Sequence, residues 1–149
     1  TKHGQAIRFK ESDVRQMGRT AAGVAGMKLA KDDHVVSAEV FKGIDKDREV
    51  LIVTEHGYGK ATPAKEYKIQ KRGGSGIKTV KLTAKTGPVV KGLIITGDER
   101  TEGELVIMSK KGQVIKLPLK QVPTLGRQTQ GVRVMKMRGD DAIASVVFV

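Results

Sequence analysis

The 149-residue sequence contains no cysteine and no tryptophan. Without cysteine there is no disulfide framework and no thiolate metal site. This fits a reducing compartment and favours the cytoplasm. The aromatic residues are Phe9, Phe41, Phe148, Tyr58 and Tyr67 alone. Proteins that hold single-stranded nucleic acid stack its bases on aromatic platforms, so a partner gripped by its phosphates is favoured over one gripped by its bases. No apolar run approaches the ~18 residues of a membrane span. Thr1-Lys2-His3-Gly4 carries no signal-peptide pattern, and no amphipathic helix or lipidation signal would anchor the chain to an anionic membrane. No stretch keeps a helical period with caps, so little helix is expected.

Catalytic patterns are missing as well. There is no Ser/His/Asp set and no cofactor fingerprint, so no catalytic residue and no cofactor is expected in this chain. Gly57-Tyr58-Gly59-Lys60 lacks the full phosphate-binding loop pattern. His3, His34 and His56 have no partners at metal-ligand spacing. Asp32-Asp33, Asp45/Asp47 and Asp140-Asp141 fall where connecting turns are expected, and read as turn formers rather than a magnesium site.

What the chain has is positive charge and an internal repeat. It carries 28 Lys and Arg against 16 Asp and Glu, a net charge of +12. Such a balance is the electrostatic footprint of a nucleic-acid partner. Aligning Gly4, Gly57 and Gly112 brings Arg19, Arg72 and Arg127 into one column. Gly23, Gly76 and Gly131 form another, followed by Val24, Ile77 and Val132. Met27, Val80 and Met135 match, as do Lys28, Lys81 and Lys136, then Leu29, Leu82 and Met137. The offsets are 53 and 55 residues, and no gap is needed from the first to the last of these columns.

A period near 50 suits a blade-like β unit better than a helical repeat of ~33–47 residues. Val50–Val53 and Leu105–Met108 are short apolar runs before a Gly turn and read as strands buried on both faces. Val35–Phe41, Val89–Thr96 and Ile143–Val149 are rich in β-branched residues and close each unit as strands. Gln113–Leu119 and Val132–Met137 also read as strands, the second without a decided inward face. The repeats are placed at 1–47, 48–102 and 103–149, together one domain. Phe9 is assigned to the core. Glu11-Ser12-Asp13 reads as a turn or short helical start capped by Ser12 or Asp13. Asp45–Arg48 and Gly97–Gly103 read as polar connectors. The first repeat lacks the apolar strand that precedes the Gly turn in the other two. The sequence therefore looks like a piece of a longer array.

The most basic part of the repeat is Gln70-Lys71-Arg72-Gly73-Gly74-Ser75-Gly76. Glycines let the backbone approach a partner closely, and adjacent Lys and Arg supply point-charge and forked donors for phosphate. The same composition also suits a Gly-rich turn with solvated cations. Lys28, Lys81 and Lys136 are open to two readings too, the wet face of a strand or a phosphate contact. The recurring arginine column is the stronger signal, because it places a cation at one position on each unit.

This stretch resembles the box, Gln-(Arg/Lys)-Arg-Gly-Gly-(Lys/Arg)-Gly, of the C-terminal domain of bacterial type IIA topoisomerase A subunits, with Ser75 in place of the third cation. Met17-Gly18-Arg19 through Val24, and Leu125–Val132, resemble its degenerate copies. Ile7-Arg8-Phe9, Tyr58-Gly59-Lys60 and Glu66-Tyr67 are similar to stretches of gyrase-type A subunits, and the match is closer than to the topoisomerase IV type. The resemblance covers the whole chain and is strongest to the last three of that family's six repeats. It implies an all-β fold, a β-pinwheel of four-stranded antiparallel blades that exchange strands with their neighbours. It further implies a basic rim that binds and bends duplex DNA, supporting negative supercoiling by a parent enzyme that uses ATP and Mg²⁺. The implied partners are double-stranded DNA, the rest of the gyrase A polypeptide and the gyrase B polypeptide, in the bacterial cytoplasm at the nucleoid. The implied DNA-contacting residues are Gln70 to Gly76, Arg19, Arg127, Lys28, Lys81, Lys136, Lys60 and Lys68. Tyr58 and Tyr67 are expected to be structural, since the family's cleaving tyrosine lies in another domain.

A propeller that docks an acidic protein is the alternative, followed by an RNA-binding β-module. Replacing Lys71 and Arg72 by Ala is expected to weaken duplex binding more than removing Lys2 and Lys31. Equal losses in a low-salt mobility-shift series would count against the box.

Overall fold

The computed structural model describes residues 1–42 and 47–149. The expected turn at Asp45 therefore lies outside the described residues, as does the start of the Asp45–Arg48 connector. Short antiparallel strands make up nearly all the regular secondary structure of the described chain. In order these are β1 (Gln5–Ala6), β2 (Glu49–Thr54), β3 (Tyr58–Pro63), β4 (Ile77–Lys78), β5 (Val89–Ile95), β6 (Glu104–Ser109), β7 (Val114–Pro118), β8 (Val132–Arg133) and β9 (Ile143–Phe148). One short helix, α1 (Gly97–Glu102), stands between β5 and β6.

The strands do not pair only within their own repeat. The complete blade runs β5-β2-β3-β8, and its fourth strand comes from the third repeat. β1 of the first repeat pairs in the same way with β4 of the second. The register recurs: Gln5 faces Lys78, and Tyr58 faces Arg133. These are equivalent positions one repeat apart. β7, β6 and β9 form a three-stranded sheet. Exchange follows from local geometry. The Gly turn at residues 54–57 folds β2 back on β3, while Gly76, the last glycine of the box, sends the chain across to the preceding repeat.

Side chains close each Gly turn. Thr1, Thr54 and Ser109 occupy one column, and their hydroxyls accept from the backbone N–H groups of Gln5, Tyr58 and Gln113. Asp33 accepts from His3 and His34, and Asp141 accepts from Lys111 and Ala142. Burial pushes the Asp33 carboxyl up, but hydrogen bonds from Thr1, His3 and His34 outweigh it and hold the group below its ordinary value. The Ser109 hydroxyl is the largest influence lowering Asp141.

The core lies between repeats. Leu51, Val53 and Ala61 pack with Leu105, Ile107, Leu119, Val122, Met135 and Ile143. On the other side Ile52, Val80 and Val89 pack with Val36, Val50 and Leu82. β2 is thus buried on both faces, one toward the third repeat and one against residues of its own repeat joined by Val36 of the first. β6 is not: Leu105 and Ile107 are buried, but Met108 is 44% exposed. The expectation of two buried faces fails there because none of the described residues covers the far side of the third repeat.

Other expectations are corrected. Residues 35–41 form no strand, and Val35 and Val40 are 49% and 82% exposed. β2 and β6 provide the ladders for the other closing strands, and no described residue supplies one to residues 35–41. Phe9 is only half-buried and stands outside both core clusters, beside Gly26. Glu11–Asp13 is a 3-10 turn whose N-cap is Lys10, with no side-chain cap. Gly97–Gly103 is not a plain connector. Thr96 accepts from the Glu99 N–H, and Glu99 accepts from the Thr96 N–H, a capping box that starts α1. Of the strand expected at Val132–Met137 only Val132–Arg133 forms; beyond it Met135 is buried, Val134 and Met137 pack partly against the same core, and Lys136 is exposed.

Gly57 shows how tight the seam is. Its φ is +81°, and an added Cβ would stand 2.1 Å from the Met135 carbonyl oxygen. Gly112 has φ +85° with nothing within 4 Å. Gly112→Ala is expected to cost about 1 kcal/mol, the ordinary penalty of the left-handed region. Gly57→Ala should cost at least about 3 kcal/mol, since backbone must also move. Urea unfolding of the two variants checks the difference, and equal losses would refute the close approach.

Candidate nucleic-acid interface

The box lies on a seam. Gln70 donates its N–H to the Arg8 carbonyl (2.7 Å), and Gly73 donates to Gly26 (2.9 Å). Gly74 accepts from the Lys28 N–H (2.9 Å). The third repeat repeats the pattern: Leu125 donates to Ala61 (2.8 Å), and Thr129 accepts from the Lys81 N–H (3.0 Å). Gly76 and Gly131, both at positive φ, stand where a Cβ would meet the Ala6 and Gly59 carbonyl oxygens at 2.4 and 2.6 Å. The box glycines are needed for contact with the neighbouring repeat.

The arginine column has an equally specific role. Arg72 Nη1 donates to the Ala25 carbonyl (2.5 Å), and its Nε donates to Asp13 (2.9 Å). Arg127 Nη1 donates to the Lys78 carbonyl (2.8 Å). Ala25 and Lys78 are equivalent, each two residues past the box glycine. Both guanidinium groups are half-buried clamps onto the preceding repeat. Arg19 is exposed and has no side-chain partner among the described residues. Arg72 and Arg127, expected at a DNA-contacting rim, are engaged at the seams instead, where a planar fork satisfies carbonyls that the crossing backbone leaves open.

Lys60 departs most from expectation. It is 1% exposed, and its Nζ donates to the carbonyls of Gly126 (2.6 Å) and Arg127 (2.5 Å) and to Thr129 Oγ1 (3.2 Å). It pins the third repeat's box-like loop from beneath and is not offered to a ligand. The sequence reads Lys60 as a rim cation because nothing local marks it as buried. Its counterparts are Ile7 and Ile115, an apolar column that hints at an inward position.

Lys28, Lys81 and Lys136 are exposed, as are Lys68, Lys71, Gly74 and Ser75. Gln70, Gly73 and Gly76 are half-buried. Because Lys28 and Lys81 each bond through their backbone to the next repeat's loop, the lysine column and the box meet at the same seam. Arg8 and Arg100 were not singled out in the sequence. Arg8 donates to the Ala64 and Tyr67 carbonyls, and Arg100 donates to those of Leu119 and Val122, closing equivalent 3-10 turns in successive repeats. Their contacts are long-range, so no spacing signals them. Tyr58 and Tyr67 are buried, and Tyr67 bonds Thr79 Oγ1 at 2.5 Å. Among the described residues no His/Cys/Asp/Glu group could hold a metal ion, and no helix is long and apolar enough to cross a membrane.

Recurring antiparallel blades that lend a strand to the preceding blade define a propeller-like β-pinwheel. A family model described as DNA gyrase C-terminal domain, beta-propeller, matches residues 1–42, 48–95 and 103–149, and the chain belongs to that family. It is 44% identical over 147 residues to the DNA gyrase A protein of Staphylococcus epidermidis, covering 99% of this chain and 16% of that protein. Identity to the DNA gyrase A protein of Thermotoga maritima is 44% over 144 residues, 97% of this chain and 17% of the relative. The chain thus spans about one sixth of these relatives' length. Among solved structures, a DNA gyrase A C-terminal domain superposes with a TM-score of 0.80 at 29% identity, covering 97% of this chain and 47% of that one. A topoisomerase IV C-terminal domain gives 0.88 at 23% identity, covering 99% and 44%, and shares the fold.

Burial pushes the Lys60 ammonium down to about 8, with Glu66 opposing and Arg127 adding to the effect. Below about pH 8 the group is charged in folded and unfolded chains alike, and the folded state bears the desolvation. Between about 8 and the ordinary 10.5 the unfolded chain holds a proton that the folded chain has released, so stability rises with pH. Wild type is expected to gain stability over Lys60→Met from pH 7.5 to 10, read from urea midpoints. A constant difference would contradict the burial.

Proposed function

We propose that this domain is the non-catalytic, duplex-DNA-gripping part of a gyrase-type topoisomerase, binding the sugar-phosphate exterior and curving the double helix. The reading rests on one observation: the exposed lysine column Lys28, Lys81 and Lys136 recurs in successive repeats, and Lys28 and Lys81 lie beside the box loop of the next. The net charge of +12 and the membership of the family support it. Lys68, Lys71 and Arg19 add exposed cations to the same loops. Arg72, Arg127 and Lys60 act indirectly, by holding those loops in place. Gln70 and the box glycines act in the same way, bringing the backbone close enough to seat the cations.

The mechanism is electrostatic. Each ammonium that neutralises a phosphate releases condensed counterions, at a cost in log K of about 0.9 per contact for each decade of salt. Curving ~20–30 bp by 40–90° costs roughly 1–6 kcal/mol. One patch cannot offset that, but cations repeated from seam to seam can. Contacts of this kind carry little sequence preference. Curved DNA held here would be presented to the rest of a gyrase A polypeptide and to gyrase B, where ATP and Mg²⁺ would serve the parent enzyme in the bacterial cytoplasm.

Lys28→Ala/Lys81→Ala/Lys136→Ala is expected to flatten the salt dependence of duplex binding by roughly 2 to 3 in log–log slope, with an unchanged urea midpoint. Fluorescence anisotropy on a 40-bp duplex measures it. An unchanged slope would sink the reading. Tight binding to an acidic polypeptide with none to duplex at moderate salt would select the protein-docking alternative.

A further inference from the structure

Two cations beside the second repeat's Gly turn are not explained by the clamps at the seams. Arg133 lies opposite Tyr58 across the β3–β8 pair, and its Nη2 donates to the Tyr58 hydroxyl at 3.3 Å. The guanidinium carbon stands 5.8 Å from the centre of that ring, and the Lys85 ammonium stands 5.9 Å from it. Neither cation pairs with a carboxylate among the described residues. Two like charges gathered on one ring repel each other, and an anion between them relieves that. All three side chains line a cleft of about 520 Å³ between the second and third repeats. The carboxylates of the cleft are engaged elsewhere. Glu55 pairs with Lys110 at 3.0 Å, and Asp140 pairs with Lys111. Asp141 accepts from the N–H groups of Lys111 and Ala142.

Comparison of the repeats shows that this cluster is particular to one turn. The places of Lys85-Thr86 are held by Asp32-Asp33 in the first repeat and by Asp140-Asp141 in the third. Asp33 and Asp141 tie down their Gly turns through the backbone of His3 and Lys111. In the second repeat Thr86 bonds Thr83 and Gly87 instead, and the His56 N–H goes to the Thr86 carbonyl. This turn is therefore built without a carboxylate, and Lys85 replaces the adjacent acid. In the first seam Gln5 and Lys78 hold the places of Tyr58 and Arg133, and the third member is Asp32, which opposes an anion. The openness of the cluster does not depend on the ends of the chain. Lys78, counterpart of Arg133, is exposed with the whole third repeat beyond it. Asp140, counterpart of Lys85, is exposed with β2 and β3 of the second repeat in place before it.

We propose that Tyr58, Lys85 and Arg133 form a binding site for a phosphate group in the cleft between the second and third repeats. Arg133 donates to the Tyr58 oxygen, so the phenol keeps its own O–H to donate into the cleft. That Arg133 bond is the largest influence holding the phenol below its ordinary value, against burial, which makes it a better donor. A tetrahedral phosphate offers an oxygen each to the phenol O–H, a guanidinium N–H and the ammonium. A planar carboxylate has only two oxygens for these three donors. The group is a free phosphate or a backbone phosphate of nucleic acid, which present the same chemistry. The site lies outside the lysine column, and the inference does not rest on the DNA reading.

Titration of the chain with inorganic phosphate at constant ionic strength, followed by proton–nitrogen NMR, tests the site. Saturable shifts are expected at Tyr58, Lys85 and Arg133, and none at the equivalent Gln5 and Lys78. Tyr58→Phe removes only the hydroxyl and should weaken phosphate binding about tenfold, the loss of one charge-assisted hydrogen bond. Lys85→Asp gives the second turn the acid that the other two repeats carry, so the fold tolerates it, and it should weaken binding more than Tyr58→Phe. Lys78→Ala should change nothing. Addition of a 40-bp duplex identifies the source. Loss of the phosphate shifts assigns the site to the nucleic-acid backbone, and their retention assigns it to the free anion. Lys28→Ala/Lys81→Ala/Lys136→Ala should keep the phosphate shifts, so this proposal and the DNA reading fail separately. Shifts that do not saturate, or that survive Tyr58→Phe and Lys85→Asp unaltered, overturn the proposal.

Discussion

Each repeat depends on its neighbour for backbone hydrogen bonds. A strand that lends its N–H and carbonyl groups to the preceding repeat leaves its own sheet with an edge to fill. Buried amides that find no partner cost about 1–3 kcal/mol each, so the exchange propagates along the chain. Everything else is arranged to let the crossing happen. Gly57, Gly76 and Gly131 lack the Cβ that would strike a carbonyl. The larger hydrophobic cluster lies between the second and third repeats, so burial and strand exchange stabilise the same contacts.

That constraint divides the cations into two populations. A chain with +12 net charge has too few carboxylates to pair every cation. Lys60, Arg72, Arg127 and Arg8 bind backbone carbonyls at the seams and turns instead. Carbonyl dipoles accept a cation without cancelling its charge, so these residues hold the fold while still adding to the positive field. The exposed lysines are then spaced by the clamps beneath them. A box therefore has two jobs in one loop: its arginine and glycines fit the neighbouring repeat, and its remaining cation meets solvent.

Much was legible in the sequence because the repeat preserves local chemistry. The Gly turn with Thr or Ser three residues before it, the apolar runs of β2 and β6, and the box columns recur at fixed spacing. The capping box at Thr96 and Glu99 was also readable, although Gly97 and Gly103 made the stretch look like a connector. Residues 35–41 have strand composition yet form none, because a strand exists only where a ladder receives it. Composition likewise put Phe9 in the core, while packing leaves it at the side of Gly26.

By itself the sequence determined the all-β repeat, the positions of its turns and the basic loops, since these follow from short-range sterics and from charge. Which face of each loop meets water was decided only in three dimensions. Lys60 and Lys81 are both lysines of the same repeat, but one is enclosed by a loop 66 residues away and the other is exposed. The difference arises from contacts between distant repeats, and periodicity along one strand does not encode them.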